Sequence, residues 1–381
     1  MGGYRRIKLA VVGCGIISDI YLENMLNRFS ILEVAGCYDL NAESAERMAG
    51  KYNLPVLSME QILANPDIEL VVNLTPPAAH YTVAKQALLG GKHVYTEKPL
   101  TGTFQEAEEL LRLSEELGLR LAAAPDTFLG AAGQTARFAV DCGMIGEMTG
   151  FAATLNRDGG WMAEKYPYTA RPGGGIGMDV GIYYVTMLLS LLGPVEEVCG
   201  FWTTRDPDRK HYSLAREDAG QPYRLESENL VSACLQFKNS AQGTIHLNAN
   251  STQNEQPHLI IYGTQGVLYL PDPNQFGGDV RLAMKGYTEP IALPHTHAFD
   301  ENSRGLGVAE LAWAIIQGRP HRTGAQMAVH AVELLRGIEQ SALMKRFYSM
   351  QTTFERPAPL PRGYLGNRYS NANPENGLAI G

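Results

Sequence analysis

The run Ile7 to Val12, entering Gly13-Cys14-Gly15-Ile16-Ile17-Ser18 and then a helix-like stretch from Asp19 to Phe29, constrains this chain most. A strand, a glycine turn and a helix in that order open a parallel βαβ unit. Gly13 and Gly15 permit a tight turn and bring backbone close to a pyrophosphate, which the free N–H groups at the helix start would hold. Ser18 stands where Gly or Ala is usual at the helix–strand contact, and it too is compact. Alone, such a fingerprint is a weak signal.

Asp39 strengthens it. It follows the second strand-like run, Leu32 to Tyr38, about two dozen residues beyond Gly15, where an acidic residue receives the adenosine ribose hydroxyls. A carboxylate there repels a 2′-phosphate, and neither Leu40 nor Asn41 supplies a cation to accept one, so NAD is expected over NADP. The plainer reading of Asp39 is a turn residue at a strand end. Thr75-Pro76-Pro77 ends a further run, Glu69 to Leu74, read as the fourth strand, and would face the same crevice with His80 just behind it. An ordinary strand-ending turn explains that tripeptide equally well.

At 381 residues the chain suits two domains of ordinary size. A formal charge of -8 with no basic cluster removes the electrostatic footprint that nucleic acid requires. No apolar run approaches the roughly 20 residues of a membrane helix, and Ile7 to Val12 is too short for a signal-peptide core, so a cytoplasmic protein is expected. Cys14, Cys37, Cys142, Cys199 and Cys234 form no Cys-x-x-Cys pair. Their scatter fits a reduced compartment without structural zinc, with Cys14 a small turn residue.

The first third alternates β-branched runs with helical patterns, the rhythm of a parallel sheet with crossover helices. It predicts an α/β Rossmann domain over residues 1–124. From residue 125 the runs Asn229 to Phe237, Ala241 to Asn250, His258 to Leu270, Asp279 to Lys285 and Glu289 to Pro294 read as strands joined by hairpin turns. With interspersed helices they predict an α+β domain over 125–348 with a large, mostly antiparallel open sheet. The uncovered face of that sheet is a candidate surface for a homodimer or homotetramer. Residues 349–381, rich in Pro, Gly and Asn, read as an arm or tail.

Glu97-Lys98-Pro99 ends another strand-like run, the fifth in this reading, at the cofactor edge, where an ammonium would meet a nicotinamide and a substrate. Downstream lies Gly173-Gly174-Gly175-Ile176-Gly177-Met178-Asp179-Val180-Gly181-Ile182-Tyr183, in which Asp179 and Tyr183 sit one helical turn apart. The glycines were expected to turn tightly against the cofactor. This ordered set, from about Arg6 to Ser341, resembles the glucose–fructose oxidoreductase / inositol dehydrogenase (Gfo/Idh/MocA) family. The resemblance implies NAD-dependent hydride transfer at a carbinol carbon of a sugar or cyclitol. It implies proton transfer at the position of Tyr183, which is usually histidine in inositol dehydrogenase-like members and tyrosine in other branches. Lys98 and Asp179 would assist. Tyr183 also fits a plain core aromatic, given Tyr184, Val185, Met187 and Leu188 around it.

For a phenol to act as a base near neutrality its pKa of about 10 must fall by about 2 to 3 units. One ammonium about 4 Å away supplies on the order of 4 kcal/mol at an effective dielectric of 20, nearly enough. Asp179 would oppose the shift if close, so its expected job is to accept a substrate hydroxyl or to hold Lys98. Asp126, Thr127, Asn156, Arg157, Trp161, Tyr168 or Arg171, and Tyr184 are expected to line the substrate side, although Asp126 also suits a helix cap and Trp161 a core position. His295 and His297 share a strand side but lack a third ligand, so no metal is expected. The resemblance leaves two other uses open: an enzyme that retains NAD and oxidises a glycoside transiently to allow its elimination, and a non-catalytic sugar- or NAD-sensing regulator.

Overall fold

The computed structural model describes residues 5–214, 216–252, 258–287 and 289–364. The first part contains β1 (Ile7–Val12), α1 (Ile16–Asn27), β2 (Leu32–Tyr38), α2 (Ala42–Tyr52), α3 (Met59–Ala64), β3 (Leu70–Asn73), α4 (His80–Leu89), β4 (His93–Thr96), α5 (Phe104–Glu116) and β5 (Leu121–Ala123). All five strands pair in parallel in the order β2-β1-β3-β4-β5. Helix starts follow local capping chemistry. Ser58 with Gln61, and Thr103 with Glu106, form reciprocal capping boxes at α3 and α5. The strands preceding Thr75 and Glu97 are the third and fourth, not the fourth and fifth, because the segment around Val56 makes only one isolated bridge to Cys37.

The second part contains α6 (Ala131–Asp141), β6 (Met148–Asn156), α7 (Gly159–Lys165), α8 (Ile182–Leu192), β7 (Val195–Thr203), β8 (Asp208–Lys210), β9 (Pro222–Arg224), β10 (Leu230–Phe237), β11 (Gln242–Asn248), β12 (Leu259–Gly263), β13 (Gly266–Leu270), β14 (Arg281–Met284), β15 (Ile291–Ala292), α9 (Leu306–Gln317), α10 (Ala325–Met344) and β16 (Tyr348–Ser349). Nine strands form one sheet, ordered β15-β14-β13-β12-β6-β11-β10-β7-β16. Its ladders are antiparallel except β6 with β11. β8 and β9 form a separate two-stranded ribbon.

α8 is buried along its whole length, as its uniformly apolar sequence demands. α10 joins the two sheets: Val329 and Val332 pack with Leu110 and Leu121 of the first part, while Leu334 and Ile338 join the core of the second. A buried ion cluster supports the approach to α10. Glu310, 1% exposed, takes Arg319 at 2.7 and 2.8 Å and Arg322 at 3.0 Å. Beyond β16 the chain runs extended. Arg322 donates to the carbonyls of Ala358 and Pro359, and Leu360 donates its N–H to Gln134. The predicted arm is thus packed as far as residue 364, and 365–381 lie outside the described residues.

The glycine-rich segment packs closely against Glu228 and Trp202. A Cβ on Gly175 would lie 2.2 Å from the Glu228 carboxyl carbon, and one on Gly177 2.5 Å from the Trp202 ring. Small residues are needed there to admit a buried carboxyl and an indole. Glu228 Oε1 accepts the N–H groups of Gly177 and Met178 at 3.0 and 3.1 Å, holding the start of a π-helical turn over Gly177–Gly181. Such turns cluster at functional sites because they displace carbonyls from the regular ladder.

Burial lifts the Glu228 carboxyl from 4.5 to about 7, only partly countered by the N–H of Met178. Between those pH values the folded chain binds more protons than the unfolded one, so this group's ionisation erodes stability as pH rises from about 4 to 7. Glu228→Gln keeps an acceptor for both N–H groups. It should flatten the dependence of Tm on pH across that window, removing a decline of order 3 kcal/mol. A wild-type slope in calorimetric melts of the variant would refute this account.

Candidate functional site

Three strand ends of the first sheet converge on one crevice. Gly13 adopts φ +101°, and a Cβ there would lie 2.6 Å from the Leu74 carbonyl carbon and the Thr75 nitrogen, so only glycine lets β1 and β3 loops meet. Gly15 caps α1 without a side-chain acceptor, and nothing lies within 4 Å of a Cβ built on it. The first amides of α1 therefore face open space, the arrangement that takes a pyrophosphate. Asp39 borders that space: its carboxylate accepts the N–H groups of Cys14 at 2.7 Å and Asn41 at 2.8 Å. Ile16 and Leu40, 75% and 91% exposed, present bare aliphatic surface at the rim, suited to a nucleotide ring. Ile17 is half-buried on the core side. These features fit a dinucleotide.

Behind the crevice, polar side chains brace the loops. Thr75 donates through its N–H and hydroxyl to Asn73 Oδ1, and Pro76 is exposed beside it. His80 is fully buried with its ring nitrogens 2.8 Å from the Thr75 carbonyl and 2.7 Å from the Pro99 carbonyl, so it links two cofactor-facing loops from behind. Glu97 accepts the Tyr21 hydroxyl at 2.8 Å and the N–H of Lys98 at 2.8 Å, tying α1 to the end of β4. Arg47, which no sequence pattern marked, donates to the Cys14 carbonyl at 3.0 Å.

The chemical groups meet where the two sheets face each other. Lys98 Nζ lies 2.6 Å from both the carboxylate and the carbonyl of Asp179, and Tyr168 donates to the same carboxylate at 3.0 Å. The Tyr183 ring centroid is 5.2 Å from Lys98 Nζ, and Arg304 Nη2 lies 3.2 Å from its hydroxyl. Burial pulls the Lys98 pKa down, but Asp179 and then Tyr183 and Tyr168 more than offset it, so the ammonium is retained well above its usual range. The drop expected for Tyr183 is absent. Burial raises the phenol, and although Lys98 and Arg304 pull it down, the net shift is upward.

Beside this cluster lies a narrow recess of about 30 Å³, lined by Asp179, Glu228, Arg157 and the α7 segment among others. Asn156 stands at the end of β6, accepting from Asn248 at 3.2 Å, with Arg157 next to it. Trp161 and Arg171 are exposed on the rim, the first under Lys165 and the second paired with Glu226. Three expected substrate residues are buried instead. Asp126 accepts the N–H groups of Gly305 and Gly307 at 3.1 and 2.9 Å, so it caps α9, and burial lifts it to about 6. Thr127 is 2% exposed, and Tyr184, without exposed surface, meets His258 at 3.1 Å. His295 reaches the Gly278 carbonyl, and His297 the Leu360 carbonyl of the arm. No metal-binding cluster occurs among the described residues. Arg304, Asn274 and Glu228 escaped sequence reading because no spacing or motif distinguishes them from loop and strand residues.

Comparison with known proteins agrees with this architecture. Residues 7–124 match the model described as an oxidoreductase family with an NAD-binding Rossmann fold, and 134–269 match the GFO/IDH/MocA C-terminal domain. An uncharacterised oxidoreductase, C115.03 of Schizosaccharomyces pombe, is 32% identical over 200 residues, covering 49% of this chain and 52% of that one. The chain thus spans about half the length of the first curated relatives it matches. A dTDP-3,4-didehydro-2,6-dideoxy-alpha-D-glucose 3-reductase of Actinomadura kijaniata is 24% identical over 344 residues, 88% of this chain and 96% of the reductase. Among solved structures, levoglucosan dehydrogenase in complex with NADH shares the fold with a TM-score of 0.76 at 17% identity, over 91% of this chain and all of that one (100%). With both of its sheets matched in order, the chain belongs to the Gfo/Idh/MocA family of oxidoreductases, and its first domain is that family's NAD-binding Rossmann fold.

Proposed function

We propose that this chain is an NAD-dependent oxidoreductase acting at a carbinol carbon of a sugar or cyclitol, with Tyr183 as proton donor and acceptor assisted by Lys98. The observation that carries the reading is the convergence of a retained ammonium at the end of β4 with a carboxylate and a phenol from the π-helical turn and α8. The sugar reductase and sugar dehydrogenase among its relatives favour a polyhydroxylated substrate. Bound NAD or NADH supplies the hydride acceptor or donor.

The protein's own groups then divide the remaining work. Asp179 holds the Lys98 ammonium by two contacts and so fixes the direction in which it can polarise a substrate oxygen. With its pKa raised, Tyr183 carries its proton at neutral pH and can give it to a carbonyl oxygen during reduction. In the oxidative direction it must lose that proton first, so oxidation should improve with rising pH. Arg157 lines the recess with Asn156 and Trp161 adjacent in sequence to lining residues, which supports these three as contacts for a hydroxyl-rich ring.

The outer face of the nine-stranded sheet supports a homodimer or homotetramer as the assembly. Strand register puts Phe201, Ser232, His246, Thr154 and Ile260 on that face, and Phe201 is 75% exposed. None of the described helices is long and apolar enough to cross a membrane.

A panel of polyols, sugars and keto-sugars, followed through nicotinamide absorbance, tests the activity. On any accepted sugar, Lys98→Met and Tyr183→Phe should each lower kcat/KM by about 10² to 10⁴ while NAD affinity measured by calorimetry stays within about threefold. Undiminished turnover by Lys98→Met would overturn the assignment, and aglycone release from glycosides without net NADH would replace it with a closed redox cycle. Asp39→Ala should weaken NAD binding by about 10- to 100-fold, the worth of a charge-assisted hydrogen bond, and narrow the preference over NADP. An unchanged NAD titration would remove Asp39 from the ribose site.

A further inference from the structure

We infer that Arg304 is the residue that sets the proton affinity of Tyr183, acting through the phenol as a positioning residue. The inference rests on the proposed proton-transfer role for its catalytic meaning, and on geometry alone for its electrostatics.

Two cations lie near the Tyr183 ring, and they are not equivalent. Lys98 gives two hydrogen bonds to Asp179 and acts on Tyr183 through space, its Nζ 5.2 Å from the ring centroid, and it favours the phenolate without a hydrogen bond to the phenol oxygen. Arg304 donates directly to the phenol oxygen at 3.2 Å, with its guanidinium carbon 5.9 Å from the ring centroid. Its other contacts are amide oxygens: Asn274 Oδ1 at 2.7 Å, the Asn274 carbonyl at 3.5 Å and Asn302 Oδ1 at 2.9 Å. No carboxylate forms a salt bridge with it among the described residues. The carboxylates of Glu97 and Asp126 act on it through space but do not pair with it, and Glu97 also opposes ionisation of Tyr183, so the phenol oxygen is the ionisable group to which this guanidinium donates directly. A cation in that position favours the phenolate and resists reprotonation.

The loop that carries Arg304 is held on two sides. Asn24 of α1 donates through its amide to the carbonyls of Asn302 and Arg304 at 2.9 and 2.8 Å. Asp126 accepts the N–H groups of Gly305 and Gly307 just beyond. Gly305 has φ +100°, which lets the chain turn sharply into α9 immediately after the arginine. The helix whose start faces the dinucleotide therefore also fixes the cation that faces the proton-transfer group. Nη2 is shared between Asn274 Oδ1 at 2.7 Å and the phenol oxygen at 3.2 Å, so the amide that anchors the guanidinium also sets its approach to Tyr183.

The test incorporates a difluorotyrosine at position 183 of the full chain and follows its ionisation by fluorine NMR without substrate, since fluorination brings the phenol into a titratable range. Arg304→Gln should raise the apparent pKa by about 1 to 2 units, and Arg304→Lys should leave it within about half a unit of the parent. Asn274→Asp, which places a carboxylate against the same Nη2 without removing the guanidinium, should raise the pKa as well. In the unlabelled enzyme, the pH profile of kcat/KM for oxidation should move upward with Arg304→Gln and return with Arg304→Lys. A phenol pKa unmoved by both Arg304→Gln and Asn274→Asp would overturn the inference. The fluorine titration needs no turnover, so a sugar panel without activity would strike the proposed function alone and leave this result standing.

Discussion

The ion pair between Lys98 and Asp179 is the interaction on which the rest of the site depends. It joins the end of a parallel strand in one sheet to a π-helical turn packed beneath the other, across 81 residues of sequence. Burying both charges costs several kcal/mol per ion before their attraction is counted, so the pair is a poor source of stability. What it provides is geometry. A cation held to one carboxylate and one carbonyl has little freedom left, and the two sheets must bring their ends to within one side chain's reach to satisfy it.

The supports around that pair explain why both partners stay in place. His80 and Glu97 brace the loops behind Lys98 from α4 and α1, while Glu228 holds the amides that begin the turn bearing Asp179. Each brace is a buried polar group with its partners supplied by backbone or by a neighbouring helix, the condition under which such groups add rigidity rather than penalty. Glu228 also borders an interdomain groove of about 930 Å³ shared with Trp202 and Arg336, so the carboxyl that shapes the turn lies at a surface where the domains meet.

Much of this was legible in the sequence, and the limits have physical causes. The alternation of β-branched runs with helical periods located the parallel sheet, because fully buried strands must be apolar throughout. The start of helix Phe104–Glu116 is written locally, because Thr103 and Glu106 form a capping box there. Asp126 had two readings, and its role as a cap for α9 depends on Gly305 and Gly307, nearly two hundred residues away, which no local pattern reports. Tyr184 follows the same rule: adjacent to Tyr183 in sequence, it leaves the helix in another direction and ends on His258. The glycine run signalled close approach without naming Glu228 and Trp202 as neighbours, since small residues announce that something is near and do not identify it.

The phenol is where sequence reasoning and structure differ most usefully. A single ammonium at about 4 Å seemed enough to lower Tyr183, but that estimate omitted two costs, the desolvation of a buried phenolate and the commitment of Lys98 to Asp179. Both are consequences of tertiary contact. Burial raises the phenol and the cations restore it only in part, so Tyr183 keeps its proton at neutral pH until a further positive charge favours the phenolate. A bound nicotinamide carries a positive charge only in its oxidised form. In the proposed mechanism the electrostatic balance at Tyr183 would therefore differ between the two directions, favouring loss of the proton with the oxidised cofactor and its retention with the reduced one.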